Sequence, residues 1–192
     1  MTLDAALARR IRLVGFDVDG VLTDGGLYLG QVDGRPVELK RFDTQDGVAV
    51  WMLRRAGLVV ALASGRASEA TTVRARELQV DEVMQDDGQG RKLAAFEAML
   101  ARRRLRWEEC AFVGDDLADL PLLNRVALPL AVPNAVPEVR AAAALVTRAP
   151  GGHGAAREVA EFLLRARGEW DGLLQTYLAE RGDVAPTAVR PD

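Results

Sequence analysis

The chain has 192 residues, the length of one ordinary domain or of one domain with a small appendage. Hydrophobic residues make up 49% and charged residues 28%, which excludes a wholly disordered chain. The net charge of −3 leaves no basic excess for phosphate backbones, so nucleic acid is not an expected partner.

In chain order, IRLVGF (11–16) is a short apolar run ending at Asp17 and reads as a buried strand. LVVALA (58–63) ends at Ser64, VDEVM (80–84) is weaker, and CAFV (110–113) ends at Gly114 and Asp115. VALPLAV (126–132) and AALVT (143–147) complete the set, although Pro129 argues against the fifth run as a central strand. Helical spacing is expected over 46–56, 67–78, 90–105, 154–166 and 169–181. Strand–helix alternation of this kind predicts an α/β fold, a doubly wound parallel sheet with helices on both faces. One segment interrupts it. Leu27 to Leu29 and Val37 to Phe42 flank Asp33-Gly34, a strong turn pair, so a β-hairpin over about 26–42 is expected straight after the first strand. A single domain over 8–181 is expected, with 182–192 as a mobile tail.

A single Cys110 and a single His153 exclude a disulfide framework, a multi-Cys zinc site and a poly-His metal site. No apolar run approaches the roughly 20 residues of a membrane span. The start, MTLDAALARRIRLVGF, has no signal-peptide pattern, and a cytoplasmic location is expected. Arginine occurs 23 times and lysine twice, at Lys40 and Lys92. A lysine kept in such a chain is expected where a compact ammonium is needed.

Chemistry therefore falls on carboxylates. Asp17-Val18-Asp19-Gly20 follows the first strand and Gly114-Asp115-Asp116 follows the fourth. In an open parallel sheet both lie at the carboxyl edge, where ligands bind. In extended chain Asp17 and Asp19 face the same way. Clustered carboxylates repel one another unless a cation is present, and oxygen ligands without His or Cys point to Mg²⁺. Ser64-Gly65-Arg66 offers a hydroxyl and a backbone N–H for an anion, or simply caps a helix starting at 67. Asp119 is a candidate cap for a short helix starting at Leu120. Gly151-Gly152-His153-Gly154 is a weak candidate anion loop, and no G-x-S-x-G elbow is present. These pieces suit phosphate-ester hydrolysis by a carboxylate nucleophile, with Ser64 and Lys92 on the phosphoryl oxygens and a second carboxylate as acid and base.

FDVDGVLTDG, Ser64, Lys92 and GDDLAD (114–119) together resemble the four motifs of the haloacid-dehalogenase-like phosphatases. The resemblance implies Asp17 as nucleophile and Asp19 as acid and base. It implies Mg²⁺ on Asp17, the Asp19 carbonyl and Asp115, with Asp116 and Asp119 orienting ligands or Lys92. DVDGVLTDGGLYLG, RFDTQDGVAV, ASGR, GDDLADLPLL and GGHGAARE are similar to the 3-deoxy-D-manno-octulosonate 8-phosphate (KDO 8-phosphate) phosphatases over roughly 8–178. That subgroup implies a HAD-like Rossmannoid fold with no large cap domain, a homotetramer built around the hairpins, and a role in lipopolysaccharide synthesis. It also implies a sugar-acid pocket formed by Asp19, the 43–47 segment (Asp43, Thr44, Gln45, Asp46, Gly47), Arg66, Arg74 and Lys92. Gln45 departs from the pattern, standing where a basic residue is common. Two further readings are a phosphatase for a nine-carbon keto-sugar acid 9-phosphate of the KDN or sialic type, and a non-catalytic oligomerising module.

Overall fold

All six expected strands form one parallel sheet in a computed structural model of the chain, which describes residues 3–86, 90 and 92–182. Residues 183–192 of the expected tail lie outside the described residues. The strands are β1 (Leu13–Phe16), β4 (Val59–Ser64), β5 (Glu82–Gln85), β6 (Cys110–Gly114), β7 (Leu128–Ala131) and β8 (Leu145–Val146), in the order β5-β4-β1-β6-β7-β8. β1 is central because its four residues, Leu13 to Phe16, are buried on both faces. The chain runs outward from β1 through β4 to β5, then crosses back to β6, β7 and β8. That reversal leaves a crevice at the carboxyl ends of β1, β4 and β6. Register makes the crevice specific: Phe16 lies opposite both Leu62 and Val113. Asp17, Ser64 and Asp115 therefore emerge within about one residue of each other's level.

Pro129 does lie in an interior strand, paired to β6 through Phe112 and flanked by β8. Its carbonyl accepts from Ala144 N–H (2.9 Å), so its missing N–H faces the β8 side. The ladder to β8 begins only at Leu130, so no bond is forfeited.

β2 (Tyr28–Val32) and β3 (Arg35–Leu39) form the expected hairpin, turned by Asp33 and Gly34 at φ 51° and 75°. Helices α2 (Gln45–Arg55), α3 (Glu69–Leu78), α4 (Lys92–Arg103), α7 (Ala155–Arg167) and α8 (Trp170–Ala179) fall where periodicity placed them. The short helices are α1 (Ala5–Arg10), α5 (Leu120–Leu123) and α6 (Pro137–Ala142). α1 and α6 are six residues each, too short for a periodicity reading. The apolar stripes of α4 and α7 close the core, with Phe96 edge-on to Phe112 (5.7 Å) and Val159, Leu163 and Leu164 buried. No helix among the described residues is long and apolar enough to cross a membrane.

Candidate active site

Beyond β1 the backbone makes one wide turn, Val18–Leu22, closed by Thr23 N–H to Val18 C=O (3.0 Å). Thr23 is fully buried and its hydroxyl fixes the turn: Oγ1 donates to Val18 C=O (3.1 Å) and accepts from Gly20 and Gly25 N–H (both 3.2 Å). Gly20 sits at φ 101°, a conformation that disfavours side chains. A Cβ there would lie 2.0 Å from Asp115 Oδ2, so the glycine is also what admits that carboxylate. Val18 points into the core, as alternation requires, while Asp17 and Asp19 face the crevice.

One oxygen each of Asp17, Asp115 and Asp119 lie within 4.8 Å of one another. Lys92 Nζ donates to Asp17 Oδ1 at 2.5 Å and also to Asp119 Oδ1. The other oxygen of Asp119 accepts from the N–H groups of Asp115 (2.9 Å) and Asp116 (3.2 Å). Asp119 thus occupies the N-cap position of α5 without capping it through its side chain; it holds Lys92 and the β6 loop instead. Asp116 caps its own short turn by accepting from Leu117 N–H (2.7 Å).

Burial pushes the Asp17 carboxyl up to about 7; Lys92 pulls it down, and Asp119 and Asp19 push it further up. Burial and the neighbouring Asp17 and Asp119 push Asp115 up to about 8. Burial alone would lower Lys92, but the Asp17 and Asp119 charges overcome it and hold the ammonium above its ordinary value. A carboxylate pair this reluctant to ionise, fed only by oxygen donors, fits a hard divalent cation such as Mg²⁺.

Ser64 ends β4 with its hydroxyl 3.4 Å from Asp19 Oδ2. It caps no helix: α3 starts at Glu69, and its cap is Ser68, whose hydroxyl accepts from Thr71 N–H. Ser64 Oγ instead accepts from Arg66 N–H (3.1 Å) and donates to Arg66 C=O (3.0 Å), a tight turn at the crevice floor. A cavity of 360 Å³ opens beside it, lined by Ser64, Gln85, Asp86 and Lys92. Asp19 Oδ1 meets Lys40 Nζ at 2.6 Å.

The expected sugar-acid residues are gathered beside the hairpin in differing states. Arg66 is half-exposed and pairs with Glu38 (2.8 Å). Arg74 donates to Asp43 C=O (2.9 Å), pairs with Glu77 (2.9 Å) and lies over the Phe42 ring. Asp43 Oδ1 accepts from Gln45 N–H (2.8 Å), shaping the 43–47 turn with Thr44 and Gln45 exposed. Arg74 also lies near the Gly47 backbone. Asp46 departs from expectation. It is 2% exposed and accepts from Arg157 N–H (3.0 Å) in the first turn of α7, so it joins α2 to α7 rather than facing a pocket.

The glycine loop also departs from expectation. A Cβ at Gly151 would lie 1.8 Å from Gly20 C=O, so chain rather than an anion fills the space beside Gly151. Asn134 ties the two segments, donating to Gly20 C=O (2.8 Å) and accepting from Gly151 N–H (2.8 Å). Asn134 left no sequence signal; Thr23 stood inside FDVDGVLTDG without a role of its own, and Lys40 was marked by the scarcity of lysine.

A family model described as haloacid dehalogenase-like hydrolase matches residues 82–159. The chain is 40% identical over 166 residues to the 3-deoxy-D-manno-octulosonate 8-phosphate phosphatase KdsC of Escherichia coli (strain K12), covering 86% of each. It is 38% identical to the same enzyme of Yersinia pestis, again covering 86% of each. Among solved structures, it is similar to the 3-deoxy-D-manno-octulosonate 8-phosphate phosphatase of Moraxella catarrhalis in complex with magnesium, phosphate and KDO. That match has a TM-score of 0.83 and 34% identity, and covers 90% of this chain and 97% of that one. A shared fold at this identity, with the four motifs on one crevice, leaves one assignment: the chain belongs to the KDO 8-phosphate phosphatase family of haloacid dehalogenase-like hydrolases.

Proposed function

We propose that the protein is a Mg²⁺-dependent phosphomonoesterase that converts KDO 8-phosphate to KDO and phosphate, a cytoplasmic step in lipopolysaccharide sugar synthesis. The observation that carries this reading is the convergence of Asp17, Asp115, Asp119 and Lys92 on one point, with Asp19 and Ser64 beside it. The Moraxella catarrhalis relative, which holds magnesium, phosphate and KDO, supports the substrate.

Asp17 attacks phosphorus as Asp19 protonates the departing sugar oxygen; the P–O bond to the sugar breaks and an aspartyl-phosphate forms. Asp19 then takes a proton from the water that attacks phosphorus, which releases phosphate and regenerates Asp17. Ser64 and Lys92 bind the outer phosphoryl oxygens, where charge is spread in the transition state. Asp17, the Asp19 carbonyl and Asp115 would hold Mg²⁺, whose charge would offset the repulsion between nucleophile and phosphoryl group. Arg66 meets the sugar-acid carboxylate, and Arg74 holds the 43–47 turn as a wall of the pocket.

Phosphate release from KDO 8-phosphate and from a nine-carbon 9-phosphate, by wild type and Asp17→Asn, tests the reading. Wild type is expected to prefer the eight-carbon substrate and Asp17→Asn to release none. Full turnover by Asp17→Asn would end the nucleophile assignment, and no turnover by wild type on either substrate would favour a non-catalytic module.

The active form is a homotetramer joined through the hairpins. Leu27, Tyr28, Leu29, Val32 and Leu39 are 46–74% exposed there, an apolar sheet that invites a partner copy. Light scattering should give the mass of four chains; a monomer at micromolar concentration would contradict the shared assembly.

A further inference from the structure

Both lysines of the chain end up at the site, in different chemical positions. Lys92 bridges Asp17 and Asp119. Lys40, the residue after β3, has a fully buried side chain. Its Nζ meets Asp19 Oδ1 at 2.6 Å, Thr71 Oγ1 at 3.4 Å and Glu38 Oε1 at 3.5 Å. An ammonium has three N–H donors, and three oxygens surround this one, from the β1 turn, α3 and β3. Thr71 accepts a hydrogen bond and the two carboxylates are ion-pair partners, so the buried ammonium is committed within the protein. A guanidinium, planar and with five donors, does not fit three converging oxygens, which accounts for lysine here in a chain that otherwise uses arginine.

We propose that Lys40 is a positioning residue for Asp19: it fixes the carboxylate in the orientation from which it passes the proton to the leaving oxygen. Among the described residues, the polar partners of the Asp19 carboxylate are Ser64 Oγ at 3.4 Å and Lys40 Nζ at 2.6 Å. The far side of the clamp is anchored in turn, because Glu38 also accepts from Ser68 Oγ (2.6 Å) and Arg66 Nη2 (2.8 Å) at the start of α3. The hairpin thereby contributes directly to the proton-transfer geometry.

This inference rests on Asp19 being the general acid. The test is kcat/KM for two substrates that differ in leaving group: KDO 8-phosphate, whose alkoxide needs a proton, and p-nitrophenyl phosphate, whose phenolate does not. For Lys40→Met the loss on the sugar phosphate should exceed the loss on the aryl phosphate by at least about tenfold, within the range general acid catalysis supplies. Asp19→Asn should show the same selectivity, and the double variant should lose little beyond Asp19→Asn alone. Equal losses on both substrates for Lys40→Met, beside a selective loss for Asp19→Asn, would overturn the proposal and leave Asp19 in its role. No selectivity in Asp19→Asn would overturn the acid assignment and the proposal with it. If Lys40→Met does not fold, Lys40→Arg carries the same comparison, since it keeps the charge but loses the three-way fit.

Discussion

Asp115 lies against Gly20 so closely that a single methyl group on Gly20 would occupy the place of its Oδ2. The carboxylate and the turn after Asp19 are therefore one packed unit, although 94 residues lie between Gly20 and Asp115 in the chain. Gly20→Ala adds that methyl at φ 101°, a strain of about 1–3 kcal/mol, and drives Asp115 from the cluster. Turnover is expected to fall at least about tenfold, with the Mg²⁺ concentration for half-maximal rate raised by a similar factor. Metal titration of activity, beside a circular dichroism spectrum to confirm the fold, would check it.

Without metal, the same cluster makes stability depend on pH. Asp17 and Asp115 titrate near 7 and 8 in the folded chain, both raised above the ordinary carboxylate value mainly by burial. The folded state therefore binds more protons than the unfolded state between about pH 4 and pH 8. The stability from these groups is complete below pH 4 and is lost as pH rises through 7 and 8. Thermal unfolding in a chelator should show a falling Tm from pH 5 to pH 9. Added Mg²⁺ should raise Tm, and raise it more at pH 8 than at pH 5, because the cation binds the ionised carboxylates. A Tm shift independent of pH would contradict the assignment.

The parallel sheet was legible because a strand buried on both faces must be a continuous apolar run, and IRLVGF, LVVALA and CAFV are such runs. The places of Asp17, Ser64 and the β6 carboxylates were legible for the same reason, since each stands at the end of a run. Lys40 was visible only as a rare residue, because nothing local announces that β3 folds its end back onto Asp19. Asn134 was invisible: its value lies in bridging Gly20 and Gly151 across a long stretch of chain, and one amide leaves no periodicity. Asp46 was misleading, since a carboxylate in the RFDTQDG segment reads as a ligand group until α7 is seen to start against it.

Asn134→Ala removes both hydrogen bonds to backbone groups that are partly buried. Each group left unsatisfied costs about 1–3 kcal/mol. A loss of roughly 2 kcal/mol in urea unfolding is expected, given some relaxation to water. Activity should fall as well, because the Asp19–Gly20 turn loses its outer brace; an unchanged kcat would show that Thr23 alone holds the turn.

Asp46 offers a stabilising substitution. Burial pushes its carboxyl up to about 6, Arg157 N–H partly countering this, and its Oδ2 is buried with no hydrogen-bond partner among the described residues. The ionised group is thus a liability whose cost grows as pH rises from about 4 through 6. Asn at this position keeps a carbonyl oxygen for Arg157 N–H and carries no charge to desolvate. It forfeits the favourable interaction of a negative charge with the α7 N-terminus, worth about 0.3–1 kcal/mol. Asp46→Asn is therefore expected to leave Tm nearly unchanged near pH 4, where the folded carboxyl is protonated, and to raise it above wild type by pH 8, where the cost of the buried charge outweighs that interaction. A variant Tm that fell below wild type as pH rose would mean that the carboxylate stays ionised and paired in solution, and that the first turn of α7 depends on its charge.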